Sequence, residues 1–339
     1  MGTESAKRVP LQALGLLVAV LVLAVLCLLS IWLGSKEISV TAVWQVLWRN
    51  DGSEDAVVIH SVRIPRTLLA VAVGAALGLA GALMQALTRN PLAEPGLLGV
   101  NAGAAFAIVF AIAVLGVTSL YSYIWFAFAG ALGASVVVYV LGNRGRTEAS
   151  PVRLALAGVA VTALLTSFTS ALVLTDPVAL NRYRFWSAGS LAGPVSGSLV
   201  RVVPFLVAGA VLALAAAPAL NSMALGDDTA KALGRRLGLV RAQGVVAVTL
   251  LTGGAVAVAG PIMFIGLVIP HIARSITGPD HRWLLPYSMV LSPCLLLVAD
   301  IVGRVVTRPA ETQVGIVVAL IGAPFFIALV RRRRRLAEL

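Results

Sequence analysis

Few side chains in this sequence could carry bond-making chemistry. The three histidines are His60, His271 and His281. Ten residues separate His271 from His281 and no acid or cysteine cluster joins them, so each is expected to hydrogen-bond at a helix end rather than to ligate a metal; His60 reads as a loop histidine. Cys27 and Cys294 lie in different apolar runs without metal spacing and read as small buried hydrophobes. No G-x-x-x-x-G-K-[ST] loop is present, so the chain is not expected to bind or split ATP itself. There is no nucleophile-base constellation and no metal-ligand cluster, so neither a metal nor a cofactor is expected. What remains is charge recognition. Arg63 and Arg66 stand three apart in RIPR, and a guanidinium offers carboxylates a planar, two-pronged donor. The plainer alternative is that these arginines snorkel from a helix end to the membrane interface.

The elements that must position them are membrane helices. Hydrophobic residues make up 59% of the 339 and charged ones 12%, which describes a polytopic integral membrane protein. Runs near the ~20 residues that cross a hydrocarbon core fall at 11–33, 67–88, 96–116, 121–142, 153–174, 197–219, 243–259, 261–277, 284–302 and 313–330. The expected fold is therefore all-α, a single transmembrane domain over 1–339 with ten crossings, of which the seventh and eighth are short. The stretch from Arg63 to Gly103 organises it: two glycine-bearing apolar runs joined by a polar turn at Asn90-Pro91 and Glu94-Pro95. Gly74, Gly78 and Gly81 on the first run, and Gly99 and Gly103 on the second, would let helix backbones approach closely in lipid, where apolar burial gives no drive to associate.

A net charge of +12 invites a nucleic-acid reading, but the basic residues sit in short loops beside the apolar runs rather than on one solvated face. Their asymmetry instead sets orientation. It puts both termini in the cytoplasm, with a polar lead over 1–10, a cytoplasmic loop at 221–241 and a basic tail over 331–339, where Arg331 to Arg335 act as a stop signal and lipid anchor. Residues 11–33 are expected to remain as a first helix, being longer than a signal-peptide core and lacking a small-x-small cleavage site. The outside segment 34–62, with Trp44 and Trp48, reads as an amphipathic, partly helical surface piece, and 175–196 is long enough for one short surface helix. In the 221–241 loop two acids open a helix-competent run and Gly234 would stop it; the run is either a handle for a partner or a plain connector. Pro270 should kink or end the eighth span.

Five segments resemble the motif series of the iron-siderophore and cobalamin permease family of ABC importers. They are RIPRTLLA, NPLAEPGLLGV, LGDDTAKALG, FIGLVIPHIAR with GPDHRWLLP, and PAETQVGIVVALIGAPFF, in the family's order from Arg63 to Phe326. The resemblance implies a type II importer permease in a bacterial cell membrane. Two ten-helix subunits, identical or paralogous, would enclose a pathway, with two ABC ATPase subunits attached inside and a substrate-binding protein docking outside. By position, Arg63, Arg66 and Arg304 match the family's outside arginines, which receive carboxylates from the binding protein. Gly226, Asp227, Asp228, Thr229, Ala230, Lys231, Ala232, Leu233 and Gly234 match its ATPase-coupling helices. The inner gate would fall at Thr147 to Pro151. The cargo implied is an iron chelate, a ferric siderophore first, with cobalamin and haem as alternatives.

The rival function is an ion-gradient-driven transporter, which would need intramembrane acids or histidines; Glu94, Asp300 and Glu311 all fall at span ends. A membrane-embedded enzyme would need paired catalytic side chains inside the spans. On the importer reading, charge reversal at Arg63 is expected to abolish cargo uptake while the protein still inserts in the membrane, measured by radioiron uptake beside membrane-fraction immunoblots.

Overall fold

A computed structural model describes residues 2–49, 51–117, 119–143, 151–192 and 195–337, and all regular structure among them is helical. The helices in chain order are α1 (Gly2–Trp32), α2 (Val40–Trp48), α3 (Glu54–Val57), α4 (Ile64–Thr88), α5 (Val100–Ala113), α6 (Leu120–Asn143), α7 (Pro151–Thr175), α8 (Pro177–Ser187), α9 (Val195–Ala215), α10 (Ala217–Ala224), α11 (Asp227–Ala232), α12 (Leu237–Ala259), α13 (Ile265–Thr277), α14 (His281–Val306) and α15 (Val314–Ala337). Seven are long and apolar enough to cross a membrane. Three shorter apolar helices, Val100–Ala113, Ile265–Thr277 and Val314–Ala328, occupy the places of the expected third, eighth and tenth spans. The seventh expected span is longer than its apolar run suggested, because α12 starts at Leu237.

Burial sorts the helices into layers. The most apolar windows of α4 and α12 are 78% and 72% buried, whereas that of α1 is 11% buried, so α4 and α12 form the axis and α1 lies on the rim. Leu14, Leu17, Leu21 and Leu28 of α1 point outward. An apolar rim of that extent is compatible with lipid and not with water.

Small residues set the spacing around α4. A Cβ on Gly81 would overlap the carbonyl of Gly266 in α13, one on Gly78 would meet Ser288 and Ser292 of α14, and one on Gly74 the backbone of Pro293. Gly103 of α5 crosses Gly130 of α6 with the same closeness, and Gly99 caps α5 at φ +71°. Pro270 lies inside α13, where its missing N–H leaves the Gly266 carbonyl without its helical partner. Gln85 of α4 supplies one: its Nε2 donates to Gly266 O at 3.4 Å and Leu267 O at 3.2 Å.

The 34–62 segment is ordered by local caps. Ser39 and Ser53 accept from Ala42 and Ala56 at the starts of α2 and α3. Val43 and Val46 pack on Ala56 and Ile59, leaving Trp44 and Trp48 exposed and in edge contact at 5.8 Å. The chain then runs through a π-helical turn, Val58–Arg63, straight into α4. The helix that was expected from 67 therefore begins a dozen residues earlier. His60 sits on that turn with Nε2 3.1 Å from Val46 O, tying it to α2 rather than lying free in a loop. The expected surface helix in 175–196 is α8, capped by Asp176 accepting from Val178 N and Ala179 N.

Gly81→Leu is expected to cost at least about 2 kcal/mol through overpacking at the α4–α13 crossing. Gly133→Ala, on an open helix face, should leave the melting temperature of the detergent-purified protein unchanged or slightly raised.

Candidate functional site

Two charged clusters lie at opposite ends of α4. The first begins with an unmet need: α1 ends at Trp32 with free carbonyls. Arg63 meets it, donating from Nη1 to Ile31 O at 2.9 Å and also to Trp32 O, and from Nη2 to Lys36 O. One turn on, Arg66 presents its Nε–Nη2 edge to Asp300 Oδ1 of α14 at 3.1 and 2.7 Å, and its Nη1 to Glu311 Oε2 at 2.6 Å. Arg304, one turn after Asp300, reaches Asp300 Oδ2 at 3.0 Å and the carbonyl and hydroxyl of Ser30 at 3.0 and 2.8 Å. Ser30 Oγ in turn meets Thr67 Oγ1 at 2.8 Å. Two guanidiniums thus share two carboxylates and a third caps backbone carbonyls, together closing α1, α4 and α14 onto one another.

Exposure separates the members. The side chains of Arg66, Arg304 and Asp300 are 5%, 2% and 1% exposed, but Glu311 is 31% exposed and also accepts from Ser35 Oγ at 2.9 Å. Burial alone would raise the Glu311 carboxyl; the Arg66 guanidinium and the Ser35 hydroxyl outweigh it and hold the group below the usual carboxylate range. Beside the cluster is a cavity of about 650 Å³ bordered by Arg66, Glu311, Gln313, Tyr123, Arg182 and Trp186. Arg182 stacks over the Tyr123 ring at 5.3 Å.

The arginines singled out for carboxylate docking are therefore brought together, and all three are buried. Arg63 supports three backbone carbonyls, so reversing its charge would also break the α1–α4 joint, and loss of uptake by that variant would report folding as well as docking. Glu311 and Asp300, noted in the sequence only as acids at span ends, are the internal partners. The i, i+4 spacing of Asp300 and Arg304 is a legible sign of pairing, whereas nothing in the sequence points to Ser30.

The second cluster holds the 221–241 loop. α10 and α11 are separated by Gly226, and Gly234 at φ +77° lets the chain turn back after α11. Asp227 pairs with Arg89, which caps α4 in the left-handed region, and with Arg241 of α12 at 2.8 Å; Arg89 also donates to Met223 O at 2.8 Å. Asn221 bonds Asp280, the N-cap of α14, and accepts from His281 N at 2.8 Å. His281 thus hydrogen-bonds at a helix end, while His271 lies edge-on to Phe325. Ala230 is fully buried, but Asp228, Thr229, Lys231, Ala232, Leu233 and Gly234 face outward. Leu225, Leu233 and Leu239 are 67%, 59% and 63% exposed, far above a packed leucine, and stand among charged residues of the loop. Of the gate candidates Thr147 to Pro151, residues 147–150 lie outside the described residues. Among the described residues no group of histidine, cysteine and acid side chains could hold a metal ion.

Asp300→Asn is expected to destabilise the protein by about 3–5 kcal/mol, the cost of leaving buried charges unpaired, read as a fall in melting temperature of the detergent-purified protein.

Comparison with known proteins matches residues 22–332 to the FecCD transport family. The chain is 49% identical to the ferric enterobactin transport system permease protein FepD of Escherichia coli (strain K12), over 93% of this chain and 94% of that one. It is 45% identical to the iron(3+)-hydroxamate import system permease protein FhuB of Bacillus subtilis, over 92% and 82%, and 38% identical to the hemin transport system permease protein HmuU of Yersinia pestis, over 96% and 97%. Among solved structures, an inward-facing metal-chelate type ABC transporter superposes with a TM-score of 0.83 at 30% identity, covering 94% of this chain and 98% of that one.

Proposed function

Given that the chain belongs to the FecCD transport family, we propose that it is the permease subunit of a binding-protein-dependent ABC importer that brings a ferric siderophore into the cytoplasm. It pairs with a second permease subunit, takes its energy from two ABC ATPase subunits, and receives cargo from an extracytoplasmic binding protein. Both termini and the 221–241 loop face the cytoplasm, the Arg63–Arg66–Arg304 end faces outward, and the ten apolar segments all cross the bacterial cell membrane. The chain itself performs no chemistry on its cargo.

The observation that carries this reading is the 221–241 loop. It offers Leu225, Leu233 and Leu239 outward while Asp227 and Asn221 tie it to α4, α12 and α14. A connector without a partner has no use for exposed leucines on so firm a mount. On an ATPase surface they would be covered, and any tilt of that surface would be passed to the helices behind. The reaction is alternating access, which requires only that ATP and cargo favour different conformations. The rival ion-coupled transporter is disfavoured by Asp300: this buried acid is committed to two arginines and so is poorly placed to pick up and release an ion.

Purification of the tagged chain from its own membranes in mild detergent should recover an ABC ATPase and the second permease by mass spectrometry; recovery of the chain alone, with ion-gradient-driven flux in liposomes, would overturn the importer. In proteoliposomes of the full complex, Leu233→Asp is expected to cut ferric-siderophore uptake at least about tenfold while basal ATP hydrolysis continues.

A further inference from the structure

Arg66 is one of the three arginines read above as receiving the binding protein's carboxylates, yet its side chain is only 5% exposed and already carries two carboxylates. An incoming carboxylate must therefore replace one of them. Asp300 is 1% exposed and also holds Arg304, so its departure would leave two buried guanidiniums short of a partner. Glu311 differs on each count. It is 31% exposed, it engages only the Nη1 corner of Arg66, and its other hydrogen bond is a solvent-facing one to the half-buried Ser35.

We propose that Glu311 is a resident stand-in for the docking carboxylate: it occupies Arg66 in the free permease and is displaced when an acidic side chain of the binding protein arrives. The proposal rests on the docking reading of Arg66. Arg66 keeps its two bonds to Asp300 through the exchange, so no buried charge is stranded. Glu311 swings out to water, where a carboxylate is well solvated. The cavity of about 650 Å³ bordered by both Arg66 and Glu311 supplies room for the newcomer without any helix moving. Exchange also explains how an arginine that must meet a partner can be nearly inaccessible beforehand: the charge is kept covered, and only a ligand bearing its own carboxylate can uncover it. The displaced group lies one residue before Thr312, whose N donates to Gly303 O at 3.0 Å in the last turns of α14. Docking is thereby linked to the segment that leads into α15.

Such an exchange has a signature opposite to that of a structural or docking role for Glu311. Removing the competitor should tighten docking, whereas removing a support would weaken it. The test measures binding of the importer's own soluble binding protein to the intact complex in lipid nanodiscs by surface plasmon resonance, at low and physiological salt, with a melting curve for each variant. The wild type should bind with an affinity that falls as salt rises. Glu311→Gln should bind about threefold more tightly at physiological salt, the scale of a partly exposed ion pair, with a melting temperature close to wild type. Equal or weaker binding by a Glu311→Gln protein that melts normally overturns the exchange while leaving carboxylate docking in place. Wild-type binding that is absent or insensitive to salt overturns the docking reading and the exchange together. Should Glu311→Gln fail to fold, Ser35→Ala decides: it loosens Glu311 without removing it, so tighter binding supports the exchange and unchanged binding overturns it.

Discussion

A carboxylate at 1% exposure between two guanidiniums is the contact on which one end of this bundle depends. Burying the Asp300 carboxylate alone, or either arginine without it, would carry a large desolvation cost. Each charge makes the others tolerable, and the three together join helices distant in sequence. Arg66 brings α4, Asp300 and Arg304 bring α14, and Ser30 brings the end of α1. Arg63 extends the same logic to polar groups without charge, by covering carbonyls that α1 could not satisfy itself. In lipid, where apolar faces gain little from meeting one another, such polar closures and close backbone packing replace the hydrophobic drive of a soluble core.

α4 carries this closure to the other end. It is a helix of about 37 Å at 1.5 Å per residue, capped at one end by the arginine cluster and at the other by Arg89, which holds Asp227. Between them Gly74, Gly78 and Gly81 press it against α14 and α13. The proposed docking end and the proposed coupling end are therefore two termini of one rigid element. Strain applied to either is felt along its whole length.

The all-α membrane class, a short helix within 175–196, the turn at Gly234 and the small-residue faces were all legible in the sequence, because each follows from a local pattern: apolar run length, the length of a connecting segment, a glycine after a helical turn, glycines four apart. The start of α4 was not, since the turn from Val58 to Arg63 looks polar and solvated until Val43 and Val46 cover its inner face. The three arginines stood out as residues, but their burial did not. An arginine beside an apolar run reads as exposed unless its partners are known, and those of Arg66 lie more than two hundred residues away in Asp300 and Glu311. Gln85 and Arg89 were silent for a similar reason: what makes them matter is a carbonyl freed by Pro270 in one case and an acid on another loop in the other.

The bond from Gln85 to the carbonyls beside Pro270 has a mechanical meaning. Two smooth helices that cross at glycines could slide along each other as easily as they rotate. A side chain of one, pinned to the main chain of the other at the crossing itself, removes the slide and leaves only the pivot. α4 and α13 are in that sense a hinge with its pin in place. Whatever rearrangement carries cargo through the protein must treat the pair as one lever.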